Sequence, residues 1–196
     1  VLSAAAAAQE LPHIAIGGHS AHLQTSAWLD GKPPADTYQG RCTLVHFFAP
    51  WSDASLQQFA QLATLQAALG DKMAFVSIAN APRAEVEAIA AKHAPKSRLA
   101  IDDDGKTFFA YGVRRLPHVV LTDEKGRLVA QPRLESITVK VLEQLLEGQQ
   151  IWLPSDPAEP ADVDWDAEAG ADLLGADRTQ AHCFVVEHVV LEVLNG

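Results

Sequence analysis

Apolar positions fall into separated runs whose spacing switches between that of strands and that of helices. Thr43–Phe48 is a continuous apolar run broken only by His46, the pattern of a central strand buried on both faces. Directly after it, Leu56, Phe59, Leu62, Leu65 and Leu69 recur at helical spacing, with Ser52 or Asp53 as N-cap and Gly70 as terminator. Met73–Ala79 predicts the next strand, and Ala84–His93 a helix with Val86, Ile89 and Ala90 inward and Pro95 stopping it. Leu99–Ile101 reads as a short extended piece, Asp102–Gly105 as a turn and Thr107–Tyr111 as a brief helix. Val119–Thr122 and Arg127–Gln131 form a hairpin around Asp123-Glu124-Lys125-Gly126. Ile137–Leu146 is a closing amphipathic helix ended by Gly148. The order predicts an α/β domain, a mixed sheet with helices on its faces.

The flanks lack this regularity. From Leu11 to Gln39, Pro, Gly, His and Ser interrupt any long period, leaving Ala27-Trp28-Leu29 as a short strand before a turn. Beyond Gly148, Pro154, Pro157 and Pro160 stand among acids as far as Asp177, the composition of a solvated linker. Cys183–Leu194 is valine-rich and reads as one or two strands. A strand there is expected to pair with a sheet edge or a second subunit, making a dimer. The chain thus divides into an N-terminal extension (1–25), a central domain (26–148) and an acidic C-terminal appendage (149–196).

Charge sharpens this division. The net charge is −10, and residues 149–196 carry ten acids against a single base, Arg178. With no basic stretch there is no footing for a phosphate backbone, which argues against a nucleic-acid partner. No apolar run approaches the roughly 20 residues of a membrane helix. Val1–Gln9 resembles the end of a signal-peptide apolar region with its small-residue cleavage site, so the protein is expected to be exported, periplasmic or otherwise extracytoplasmic.

Several motifs together carry a family resemblance. Trp28-Leu29-Asp30-Gly31-Lys32-Pro33 and Gly40–Phe48 resemble the lead-in and first core strand of thioredoxin-like proteins of the TlpA/ResA type, and Ala49-Pro50-Trp51 resembles the approach to their active site. Tyr111-Gly112-Val113-Arg114-Arg115-Leu116-Pro117 resembles the segment bearing the family's cis-proline, and Val119–Gly126 its hairpin. The resemblance covers Trp28 to Gly148 and implies a thioredoxin-like mixed sheet flanked by helices, without a cofactor. It also implies that Ser52 and Ser55 stand where the two cysteines of a Cys-x-x-Cys pair would be.

That chemistry needs sulfur. A thiolate at the first position, stabilised by the helix N-terminus, attacks a substrate disulfide, and the second thiol resolves the mixed disulfide. A serine hydroxyl ionises far less readily and cannot exchange, so the chain is expected to be inactive in dithiol chemistry. The serines fit natural loss of the dithiol, deliberate replacement of both cysteines, or a new hydrolytic role for Ser52. With Trp51, Leu116 and Pro117 retained, the alternative to an oxidoreductase is a module binding a peptide or protein partner by backbone hydrogen bonds beside the proline, or an assembly module. His118 follows Pro117 and is a candidate for the rim of the same corner.

Other candidates carry less. His46 falls where thioredoxins keep a buried acid, but a lone histidine in an apolar strand reads as a hydrogen-bonded core residue, and no G-x-S-x-G elbow is present. Cys42 and Cys183 precede apolar runs and read as buried, inert thiols, and no cysteine stands near the helix start as a peroxidatic residue would. Asp162, Asp164, Asp166 and Glu168 alternate like calcium ligands, yet Ala167 and Leu173 occupy positions that need glycine and glutamate. His13, His19, His22, His93, His182 and His188 show no metal-binding spacing, so no metal is expected.

Overall fold

The structure is a computed structural model that describes residue 12, residues 14–33 and residues 38–154. The signal-like start, the acidic run to Asp177, Cys183 and the valine-rich end lie outside the described residues. The strands are β1 (Ala27–Trp28), β2 (Thr43–Phe48), β3 (Ala74–Ala79), β4 (Arg98–Ile101), β5 (His118–Thr122) and β6 (Leu128–Ala130). The helices are α1 (Asp53–Leu69), α2 (Arg83–His93), α3 (Lys106–Ala110) and α4 (Val139–Leu146). The strands form one six-stranded sheet in the order β1-β4-β3-β2-β5-β6. The pairs β2–β3 and β3–β4 are parallel and the others antiparallel, giving the mixed, helix-flanked thioredoxin-like fold.

Every residue of β2 and β3 is buried, as unbroken apolar runs require when both faces of a sheet are covered. On one face Leu44 and Phe48 pack with Phe59 and Leu62 of α1, Val86 of α2 and Leu142 of α4. On the other, Val45, Phe47 and Val76 meet Phe108 of α3 and Tyr111. Each large side chain so buried contributes about 1.5–3 kcal/mol.

Element ends differ from the periodicity where polar groups intervene. β6 begins at Leu128 because Asp123 claims the preceding residue: its carboxylate accepts the Arg127 N–H at 2.8 Å and the guanidinium Nε at 2.7 Å. α4 begins at Val139, after a 3-10 turn at Leu134–Ser136, because Thr138 caps it by accepting the Val141 N–H at 3.3 Å.

The lead-in is more structured than its sequence indicates. The Gly17 N–H donates to the Leu128 carbonyl at 2.7 Å and the Leu128 N–H to the Gly18 carbonyl at 2.8 Å, flanking β6. Ala21 and Leu23 then pack on the Phe47–Phe108 cluster. The Tyr111 hydroxyl donates to the Ala21 carbonyl at 2.7 Å, and the Gln24 N–H to Thr107 Oγ1 at 2.9 Å. The segment reaches β1 at the opposite edge, so residues 17–28 cross one whole face of the sheet. Further back, the Pro12 carbonyl sits against Gly112 (φ +63°), where any Cβ would collide with it.

Candidate functional site

The site lies where β2 gives way to α1. Ser52 has extended backbone and caps the helix, its Oγ accepting the Ser55 N–H at 3.3 Å. This satisfies one of the donors that every helix start leaves open. Ser55 is fully buried and its Oγ accepts the Ala49 N–H at 3.2 Å. The two hydroxyls therefore tie the corner together through main-chain amides. Trp51, between strand and cap, is 58% exposed.

Leu116 and Pro117, joined by a cis peptide bond, are half-buried. Together with Ala54 and three glutamines of α1 they line a cavity of about 420 Å³. Its far wall is Pro132, Arg133, Leu134 and Glu135, and Arg115 stands at its margin. Gln61 Nε2 donates to the Leu134 carbonyl at 2.8 Å and Gln58 Nε2 to Glu135 at 3.4 Å, so the α1 amides fix that wall.

His46 is fully buried on the α1 side of the sheet, stacked on Phe48 (5.7 Å between centroids) and edge-on to Phe59 (5.4 Å). Its Nδ1 lies 3.3 Å from Ser77 Oγ, which in turn lies 2.7 Å from Ser97 Oγ. Burial pushes the imidazole down to about 3, against which the Gln58 side chain pulls it upward. Burial favours the neutral ring, and its Nδ1 is engaged with Ser77 rather than with either serine of the corner. His118 pairs with Phe47 in the ladder, and its ring lies 6.1 Å from that of Phe47. It thus faces the α3 layer, while the neighbouring Val119 lines the cavity. The structure brings Trp51, Ser52, Ser55, Leu116 and Pro117 to one end of the sheet; His46 lies beneath them and His118 turns to the other face.

Cys42 is buried just before β2, at the opposite end of that strand from the corner, about 20 Å away at strand rise. Burial raises its pKa, and the Glu124 and Asp123 carboxylates push the same way, keeping it a protonated thiol. Among the described residues no group of three His, Cys, Asp or Glu side chains could hold a metal ion, and no helix is long and apolar enough to cross a membrane.

The periodicity missed Gln57, Gln58, Gln61, Arg115 and Arg133. On a helix wheel the glutamines are simply the polar side of α1, and nothing local tells which distant loops come to lie against them.

The redoxin family profile matches residues 31–146, more than half of the chain, and the chain belongs to that family. Solved structures extend the likeness. The thioredoxin domain of a thiol-disulfide oxidoreductase from Bacteroides vulgatus superposes with a TM-score of 0.62 at 17% identity, covering 68% of this chain and 99% of that one. A secreted Mycobacterium tuberculosis disulfide oxidoreductase homologous to Escherichia coli DsbE gives a TM-score of 0.52 at 21% identity, covering 63% and 94%. At these identities the likeness is one of fold. No curated protein matches the sequence significantly.

Proposed function

We propose that this is an exported redoxin-family protein built on the thiol-disulfide oxidoreductase scaffold, in which Ser52 and Ser55 occupy the cysteine positions. It carries out no dithiol exchange, and its corner binds an extended segment of a protein partner beside Pro117. Residues 26–148 form the functional domain. The observation carrying this reading is the pair of hydroxyls at the start of α1: Ser55 is fully buried and Ser52 is spent on the helix cap. Neither can form or break a disulfide, and the described cysteine lies at the other end of β2. In support of binding, Trp51 presents a large apolar surface to solvent at the same end of the sheet as the Leu116–Pro117 loop, where an extended chain can take main-chain hydrogen bonds. Export rests on the signal-like Val1–Gln9 and on a fold neighbour described as secreted.

The test is reduction of insulin disulfides by dithiothreitol, comparing the chain with its Ser52→Cys/Ser55→Cys form. The chain itself is expected to be silent and the double variant to turn over, which leaves the serines as the only block. Turnover by the unaltered chain would overturn the reading. A folded but inactive double variant would show that the corner has diverged beyond its two sulfurs, leaving binding as its role.

A further inference from the structure

We infer that His46 is a positioning residue of the cavity beside Pro117: it stands in a one-way string of hydrogen bonds that runs out from the sheet interior and holds the Gln58 amide nitrogen toward the cavity, where it takes a main-chain carbonyl of the bound segment. The ligand is the one that the binding reading above requires, while the string follows from the geometry. His46 is fully buried and lies directly across the ladder from Val119, which lines the cavity. Its Nδ1 is 3.3 Å from Ser77 Oγ, which is 2.7 Å from Ser97 Oγ. The other ring nitrogen, Nε2, is buried with no well-formed hydrogen bond, and so is Gln58 Oε1. These two atoms belong together: the Gln58 side chain acts on the ring as an acceptor, favouring its protonated form against the effect of burial. Leaving both open is costly, and a small turn of the Gln58 amide joins them.

Glu135 fixes the direction. Gln58 Nε2 donates to Glu135 Oε1 at 3.4 Å, and Glu135 is the single carboxylate among the described residues that line the cavity. An ionised carboxylate accepts and cannot donate, so the Gln58 nitrogen faces it and the Gln58 oxygen faces the ring. The ring then carries its proton on Nε2, Nδ1 accepts from the Ser77 hydroxyl, and Ser77 accepts from Ser97. Within the string Ser77, His46 and Gln58 each donate once and accept once, an arrangement in which the bonds strengthen one another. The reverse order would set the Gln58 oxygen against the Glu135 carboxylate with no hydrogen between them. Of the two α1 amides bonded to the wall, Gln61 spends its nitrogen on the Leu134 and Ile137 carbonyls. Gln58 gives one hydrogen to Glu135, and its second is left for a carbonyl of an extended chain lying along Leu116 and Pro117.

The experiment is long-range proton–nitrogen NMR of the histidine rings in the full chain, with His46 identified by its contacts to Phe59. The Nε2–H tautomer is expected, and a ring protonated on Nδ1 would overturn the direction of the string. Glu135 is exposed, so Glu135→Ala spares the core yet removes the acceptor that sets the direction. It is expected to lower the ratio of Nε2–H to Nδ1–H about fivefold, the factor that one hydrogen bond of ordinary net strength commands, and Gln58→Met should do the same. A ratio that ignores both changes would reduce His46 to a packed core residue. The S-carboxymethylated B chain of insulin serves as the extended ligand. Its addition is expected to shift the Gln58 side-chain amide and the His46 ring together, and Gln58→Met should weaken its binding about fivefold. Shifts at Leu116 without any at His46 would overturn the positioning role. A B chain that shifts nothing would count against the binding reading and not against the string, whose direction the ring of the free protein decides.

Discussion

Asp102 ends β4 with its side chain fully buried, its Oδ2 accepting the Phe108 N–H at 2.9 Å. Burial raises its pKa from 3.8 to about 7, with neighbouring Asp104 adding to the rise and main-chain donors opposing it. The folded chain thus keeps a proton that the unfolded chain gives up. Stability from this group is complete below pH 3.8, declines as pH rises, and is lost above about 7. Asp102→Asn can still accept from Phe108 and can donate an amide hydrogen toward Asp104. It is therefore expected to match the unaltered chain near pH 4 and to exceed it by about 1–3 kcal/mol near pH 8. Thermal unfolding at the two pH values checks this, and equal melting temperatures at the higher pH would refute it. The depressed His46 titration adds the opposite slope in both proteins and cancels in the comparison. At this scale Ser52 was legible as a cap of α1, because it stands between a buried apolar run and a helical period. The buried Asp102 was not: inside Asp102-Asp103-Asp104-Gly105 it reads as one more solvated turn residue, and only the α3 amides that fold over it show otherwise.

The secondary elements were legible to within a residue or two wherever a period existed, as in β2, α1 and α2. Their ends slipped where a side chain competes with the backbone, at Arg127 and Thr138. The segment before β1 escaped altogether, since its attachments are main-chain bonds and one tyrosine hydroxyl, which leave no periodic trace. Gly112 shows how closely that segment is held. A methyl group there meets the Pro12 carbonyl and must also adopt a positive φ. Gly112→Ala is expected to cost at least about 2 kcal/mol in urea denaturation, far more than Gly126→Ala, where φ is also positive but no atom lies within contact distance.

At the scale of the molecule, a mixed sheet flanked by helices was implicit in the sequence of elements, while the strand order and the contact between α1 and the 132–135 wall were not, because they join segments with no local signal in common. The two core clusters meet along β2 and β3, the only strands buried throughout among the described residues. Hydrogen exchange is therefore expected to be slowest in β2 and β3 and faster in β1 and β6, which hold fewer ladder bonds at the margins. Uniform protection across the sheet would contradict this ranking.

Residues 17–28 touch both margins, β6 through Gly17 and Gly18 and β4 through Ala27 and Trp28. The strand that receives Gly17 is made long after Gly17 itself. On the ribosome the front of the chain must wait, undocked, while nearly all of the domain is synthesised behind it. Until Leu128 emerges, the sheet has margins open to other chains. Resistance to edge-to-edge association is therefore acquired late in biosynthesis, and the nascent chain depends on its cellular handling for as long as it is incomplete.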